Sequence, residues 1–266
     1  MNQLVKKEET QIVEHQATTP ANEAILKTDV ILPKLLLMQG LSEFVAQRKA
    51  QMGDMVKSTT VEVIGGPDKD ISFIPLMHTN EWRMEEMVGG KYEYRGTEPR
   101  TARNETLPWE FEDKGTKWRR TKVINVYALL PDDIDAEAIE IERAKEDGDG
   151  FDLNKVLMPV VISFRSTGYN AGKTVVTHFA KAQSMAQYGA KAYAYSLNLS
   201  CAEDKNDKGT YYVFNVDLSK SAKISKEQLK KAQEWHTILT TQNIQVDDSF
   251  ENDSEGTAPG AMAHAV

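Results

Sequence analysis

The sequence predicts a β-rich α+β fold: a closed or partly open barrel with a few helices, an acidic insertion and disordered termini. Three observations carry that expectation. Six or more short apolar runs of strand length are joined by irregular, turn-rich connections, which suit a barrel better than a parallel doubly wound sheet. Two of these runs, "AYAYSLNLS" and "TYYVFNVDL", have strand character, and in the first Tyr193, Tyr195, Leu197 and Leu199 alternate onto one face. With 266 residues and 40 % hydrophobic content, the chain can also bury a sizeable core.

Residues 1–30 are polar and charged with almost no apolar periodicity, so they are expected to form a disordered arm. The β-rich domain is expected over 31–240. It opens with "ILPKLLLMQGLSEFVAQRKA", an extended start and then a short amphipathic helix after Gly40. "TTVEVIGG" and "DISFIPLMH" are two strands, with Gly65-Gly66-Pro67-Asp68 as the turn between them. From Glu81 to Arg120 the text turns polar, aromatic and glycine-containing, which predicts a long loop or a ragged hairpin. "KVINVYALL" and "PVVISF" are further strands, separated by an acidic insertion loop at 131–152.

A helix follows "RSTGYNAGKT" and runs to about Tyr188. The two alternating strands then pair across the polar turn "CAEDKNDKG". Ser225 and Gln228 make a capping box for a last helix, whose apolar face is Leu229, Ala232, Trp235, Ile238 and Leu239. Residues 241–266 are expected to be an acidic disordered tail. No internal repeat is visible.

Composition narrows the function classes. The single cysteine, Cys201, excludes a disulfide framework and fits a reducing compartment. The polar N-terminus has no apolar core of a secretion signal, and "VILPKLLLM" is too short to span a bilayer. A cytoplasmic protein without a membrane partner is expected, in the host cytoplasm if the chain is phage-encoded. The net charge of −8 is unevenly spread. The insertion at 131–152 is net −8, the tail from 241 is net −5 and the first thirty residues are net −2, so the rest is net +7. Residues 153–202 hold five bases and no acid.

The Gly-Lys-Thr at 172–174 raises the question of a phosphate loop. That motif needs glycine five positions before Gly172, where this chain has Thr167, and only about 90 residues follow, too few for a nucleotide-hydrolase core. Two other readings stay open: a plain glycine loop with an exposed lysine, or a loop whose Arg165, Lys173 and backbone N–H groups hold polynucleotide phosphates. Asp68 with Glu112-Asp113-Lys114 imitates the spread acids of metal-dependent nucleases, but "FEDKGTK" reads as a polar turn. "DGDGFD" misplaces the glycine of a calcium loop and lacks its final glutamate, and the five histidines are scattered. No catalytic residue, metal site or cofactor is therefore expected.

The strongest pattern is an aromatic and basic belt. Trp82, Tyr92, Tyr94, Trp109 and Trp118 interleave with Arg95, Lys117, Arg119, Arg120 and Lys122. Single-stranded nucleic acid wants this combination, with rings to stack on unpaired bases and cations along the backbone. The reading without function makes Trp109 and Trp118 core residues and pairs the arginines with the nine acids between Glu81 and Asp113. The acid-free run "KGTKWRRTK" favours binding.

A basic β-rich body, stacking aromatics and an acidic tail together resemble a phage-type single-stranded DNA-binding protein, built on an oligonucleotide-binding (OB) barrel. The resemblance is architectural and covers the whole chain. It implies single-stranded DNA as partner, a role in DNA replication or recombination, and an acidic tail that recruits replication or recombination proteins and competes with DNA. The tail here carries Phe250 within "VDDSFENDSEG" but ends in "APGAMAHAV", which departs from the family's acidic, aromatic close. The rival classes are a P-loop-like or nuclease-like enzyme and a non-catalytic structural or partner-binding module.

Overall fold

The computed structural model describes residues 31–147, 150, 152–207, 209–241 and 244–248. The expected arm at 1–30 and the tail beyond 248, Phe250 included, lie outside the described residues. The elements run in the order β1 (Ile31–Leu32), β2 (Lys34–Leu37), α1 (Glu43–Ala46), β3 (Met55–Lys57), β4 (Glu62–Gly65), β5 (Ile71–Val88), β6 (Lys91–Pro99), β7 (Glu110–Asp113) and β8 (Thr116–Leu129). They continue with α2 (Pro131–Asp147), β9 (Val160–Arg165), α3 (Tyr169–Ser184), β10 (Tyr195–Asn206), β11 (Gly209–Lys223), α4 (Lys226–Thr241) and β12 (Gln245–Val246).

The fold is a strand-rich α+β protein on one mixed sheet, in the order β11-β10-β5-β8-β9-β2-β3-β4, with β6 added to β5 and β7 to β8. A separate parallel pair joins β1 to β12. The main sheet is open: among the described residues no ladder links its β11 end to its β4 end. Side-chain bonds reach across from the β10–β11 end, among them Lys220 to Asp70 at 3.0 Å and the Cys201 thiol to Gly53 O at 3.2 Å. The Gln39 amide donates to the Tyr212 carbonyl at 2.9 Å and accepts from the Tyr212 N–H at 3.0 Å.

The stretch expected as a long loop or a ragged hairpin is two hairpins, β5–β6 and β7–β8. β5 runs for 18 residues because its polar second half still alternates, pairing with β6 on one side and β8 on the other. Gly89 and Gly90 turn β5 into β6 with φ of 57° and 85°, and Lys114 and Gly115 turn β7 into β8 with φ of 50° and 81°. Positive φ at both turn residues matches the twist of the flanking strands and favours glycine.

Both faces of the sheet are buried at one end. Ile124, Val126, Ile162 and Phe164 pack with Ala171 and Val175 of α3 and with Leu197 and Leu199 of β10. On the other face Ile74, Leu129 and Val161 pack with Ile134 of α2 and with Ala232 and Leu239 of α4. Burying each such side chain stabilises the fold by about 1.5–3 kcal/mol, so these two layers fix the sheet on which the rest is built.

The acidic insertion is a helix, not a loop, across Pro131–Asp147. Proline suits a first helical position, and Asp132 and Asp133 in the first turn meet the positive end of the helix dipole. Lys57 and Lys231 tie it down through Asp133 and Glu137 at 2.7 and 2.6 Å. The chain from Ile244 to Asp248, expected to be disordered, is also placed: Asp247 N–H donates to Leu32 O at 2.9 Å beside β12.

Candidate nucleic-acid interface

Directly opposed residues in an antiparallel ladder point to the same face, so the register sorts the belt. Trp82 opposes Lys122, Met84 opposes Arg120, and Trp118 opposes both Glu86 and Phe111. These share one face, here the stacking face. Arg83 opposes Thr121, Glu85 opposes Arg119 and Tyr94, Val123 opposes Arg165, and Asn125 opposes Ser163. These share the other. The run that looks contiguous in sequence is thus divided between two surfaces.

On the stacking face, the rings of Phe111 and Trp118 lie nearly parallel at 13°, with centroids 6.4 Å apart. The Arg120 guanidinium sits 4.5 Å from the Phe111 centroid and 5.8 Å from that of Trp82. Arg120 is 8 % exposed, its buried Nε has no hydrogen-bond partner, and no carboxylate pairs with it among the described residues. Lys122 lies 5.6 Å from the Trp82 centroid and bonds Glu105 at 2.6 Å. Trp109, 44 % exposed, directly precedes β7, and its carbonyl accepts the Arg120 N–H. Trp82 departs from the expectation. It is 3 % exposed and its indole N–H donates to Asn104 Oδ1 at 3.1 Å, so it is a core residue with no face left for a base.

Arg95 is the extra residue of a bulge in β6, between Tyr94 and Gly96. Its charge is committed to Glu86 at 2.6 Å and Glu93 at 3.0 Å. Lys117 is exposed opposite Glu112. Lys173 is exposed on α3, 5.3 Å from the Tyr169 centroid. The Gly-Lys-Thr therefore lies within helix α3, from its fourth residue on, rather than in a loop. Gly172 is there for packing: a Cβ would stand 2.7 Å from Phe164 Cβ and 3.1 Å from Ile124 Cβ.

The opposite face holds a charged network. Glu85 takes Arg83 at 2.9 Å on one oxygen and Arg119 on the other. Arg83 lies 4.5 Å from the Tyr94 centroid and Arg119 lies 4.4 Å from that of Tyr92. Tyr92 donates to Glu110 at 3.0 Å. Beside this network is a cavity of about 200 Å³ lined by Lys34, Arg83, Arg165, Tyr94, Tyr127, Asn125, Ser163 and Glu81, with Asp248 at its mouth. Burial holds the Lys34 ammonium below the usual lysine range, against the Asp248 carboxylate that raises it. Burial pushes the Tyr127 phenol up to about 12, with Glu81 and Asp248 adding to it, and raises Tyr94 for the same reasons with Asp248 its main charge partner. Both stay protonated donors at neutral pH.

Lys34, Tyr127, Asn125 and Ser163 escape a reading of the sequence because each lies inside an apolar strand run. The one signal was a lysine in "VILPKLLLM". The nuclease-like acids do not converge: Glu112 and Asp113 end β7, Lys114 begins the turn into β8, and Asp68 lies in the Gly66–Lys69 turn. Among the described residues no three His, Cys, Asp or Glu side chains are grouped to hold a metal ion. No described helix is long and apolar enough to cross a membrane. No protein-family model, curated protein or solved structure matches the chain.

Proposed function

We propose that the chain binds single-stranded DNA with little regard to sequence, in the manner of a phage-type single-stranded DNA-binding protein serving DNA replication or recombination. The observation that carries this reading is Arg120. Its positive charge, which no carboxylate neutralises among the described residues, makes the potential of this strip favourable to an anion although the guanidinium itself is buried, and Trp118 and Trp109 beside it offer rings to bases. Phosphate contacts of this kind position a strand without reading it, and stacking tolerates any base. Lys122 extends the same strip, whereas Lys117 lies on the other face of β8. The OB-like barrel belongs to the proposal too; it is supported by the curl of the open sheet that brings Gln39 to Tyr212. Replication or recombination proteins are the proposed partners of the acidic tail.

The test is tryptophan fluorescence of the full chain titrated with oligo-dT. Trp109 and Trp118 should be quenched in a saturable way, and Trp118→Ala should remove a large share of the signal. Emission unchanged at saturating oligo-dT would remove the stacking face from consideration.

A further inference from the structure

The opposite face of the sheet carries an anion site of its own. Lys34 is 7 % exposed, and its ammonium meets one oxygen of the Asp248 carboxylate at 2.6 Å. The Tyr94 hydroxyl donates to the other oxygen at 2.9 Å. Two donors from separate strands, β2 and β6, therefore grip one small anion at the edge of a cavity that Arg83 and Arg165 also line. A cation this deeply buried is costly unless an anion accompanies it.

The cations stand on the rigid sheet, whereas the anion stands on an appended segment. Asp248 is itself 49 % exposed. Its segment is held by the two residue pairs of β12 on β1, by the Asp247 N–H on Leu32 O, and by the Ser58 hydroxyl on the Asp247 carboxylate at 2.7 Å. The fixed part of the site is thus complete without the residue that occupies it. Asn125 and Ser163, bonded to each other at 2.7 Å, add polar wall, with Glu81 taking the Asn125 amide at 3.0 Å as the one other carboxylate lining the cavity among the described residues. A cavity of about 200 Å³ takes a phosphate with part of its ester, but not a base pair.

We propose that the cavity of Lys34, Tyr94 and Arg165 is a phosphate-binding site, and that the Asp248 carboxylate occupies the place of the phosphate. The site is distinct from the stacking face, so it does not depend on bases being bound there. Its ligand is a phosphate monoester or diester, and the two sources are the terminal or the internal phosphates of a strand.

The experiment uses the full chain, its Asp248→Asn variant, and Asp248→Asn combined with Lys34→Met, a change that keeps the unbranched apolar stem while removing the terminal ammonium. Inorganic phosphate is titrated against each at low salt, following the backbone amides of Asn125 and Ser163 by NMR. Asp248→Asn should respond at roughly a tenfold lower phosphate concentration than the unaltered chain, because the competing carboxylate is gone. Adding Lys34→Met should cancel that gain. If the double variant does not fold, Tyr94→Phe in the Asp248→Asn background removes one hydroxyl donor only and should weaken phosphate severalfold.

Oligo-dT with and without a 5′-phosphate then separates the sources. A preference for the phosphorylated strand assigns the site to a terminal monoester, and equal affinity that falls with Lys34→Met assigns it to a backbone diester. A phosphate response alike in all three chains, or shifts confined to residues away from the cavity, would overturn the proposal. The outcome is separable from the fate of the stacking face: phosphate shifts without tryptophan quenching keep this site and remove that one, and quenching without shifts does the reverse.

Discussion

Trp82 and Trp118 stand on the same face of adjacent strands, yet one is sealed into the core and the other lies against Phe111 at the surface. Truncation should separate them. Trp118→Ala should weaken oligo-dT binding by about 5- to 150-fold, the loss of about 1–3 kcal/mol of stacking, with the salt dependence unchanged because stacking releases few ions. Trp82→Ala should instead cost about 3–5 kcal/mol of stability, seen as a lower urea midpoint. Arg120→Ala should flatten the log–log salt slope by less than one unit. Equal effects of the two tryptophan variants on oligo-dT affinity would contradict this division. Sequence alone does not separate them: both sit in polar text that reads as loop, and only the two-residue period of a strand shows that positions 118, 120 and 122 face away from 117, 119 and 121.

At the scale of elements, the glycine of the Gly-Lys-Thr belongs to packing. An exposed helical glycine gains about 1 kcal/mol on replacement by alanine. Gly172→Ala should do the opposite, because the added methyl meets Phe164 Cβ at 2.7 Å where α3 crosses β9. A raised melting temperature for Gly172→Ala would refute that packing. The α2 helix makes a second prediction. Arg143, the Asp152 N–H and Lys155 all bond the Glu140 carboxylate and hold it down to about 2, against the opposing effect of burial. The folded value is depressed below the ordinary value of 4.5, so this contribution to stability is full above about pH 4.5 and is lost as pH falls toward 2. Glu140→Gln should therefore flatten the acid limb of a stability–pH curve over that window. An unchanged limb would show that these bonds do not favour the folded carboxylate. The Ser225–Gln228 capping box is legible in sequence and is formed, at 3.1 and 3.2 Å. The α2 helix is not, because ten acids and two bases across residues 131–152 read as solvated loop although alanine, glutamate and isoleucine at helical spacing sit among them.

For the whole molecule, charge partition is legible in sequence while the path of the sheet is not. Strand lengths and turns can be read locally, but which strands meet depends on contacts such as β5 with β8 and β2 with β9, far apart along the chain. The tail with its five acids opposes a basic body. Truncation after Asp248, which removes three of those acids and leaves the docked β12 in place, should tighten oligo-dT binding at low salt, and the gain should fade by about 0.3 M, where the Debye length falls well below the ~10 Å of 0.1 M solution. Equal affinity of the truncated and full chains at low salt would reduce the tail to a partner-binding or solubilising extension.

Sequence-tolerant binding of single strands is tested by filter binding of the full chain to oligo-dT and to duplex DNA across a salt series. Neutralising about five to eight phosphates at roughly −0.7 per contact gives an expected log–log slope of about −3 to −6 for oligo-dT, with the single strand bound far more tightly than the duplex. Equal affinity for duplex, or no retention of oligo-dT at about 50 mM salt, would contradict it.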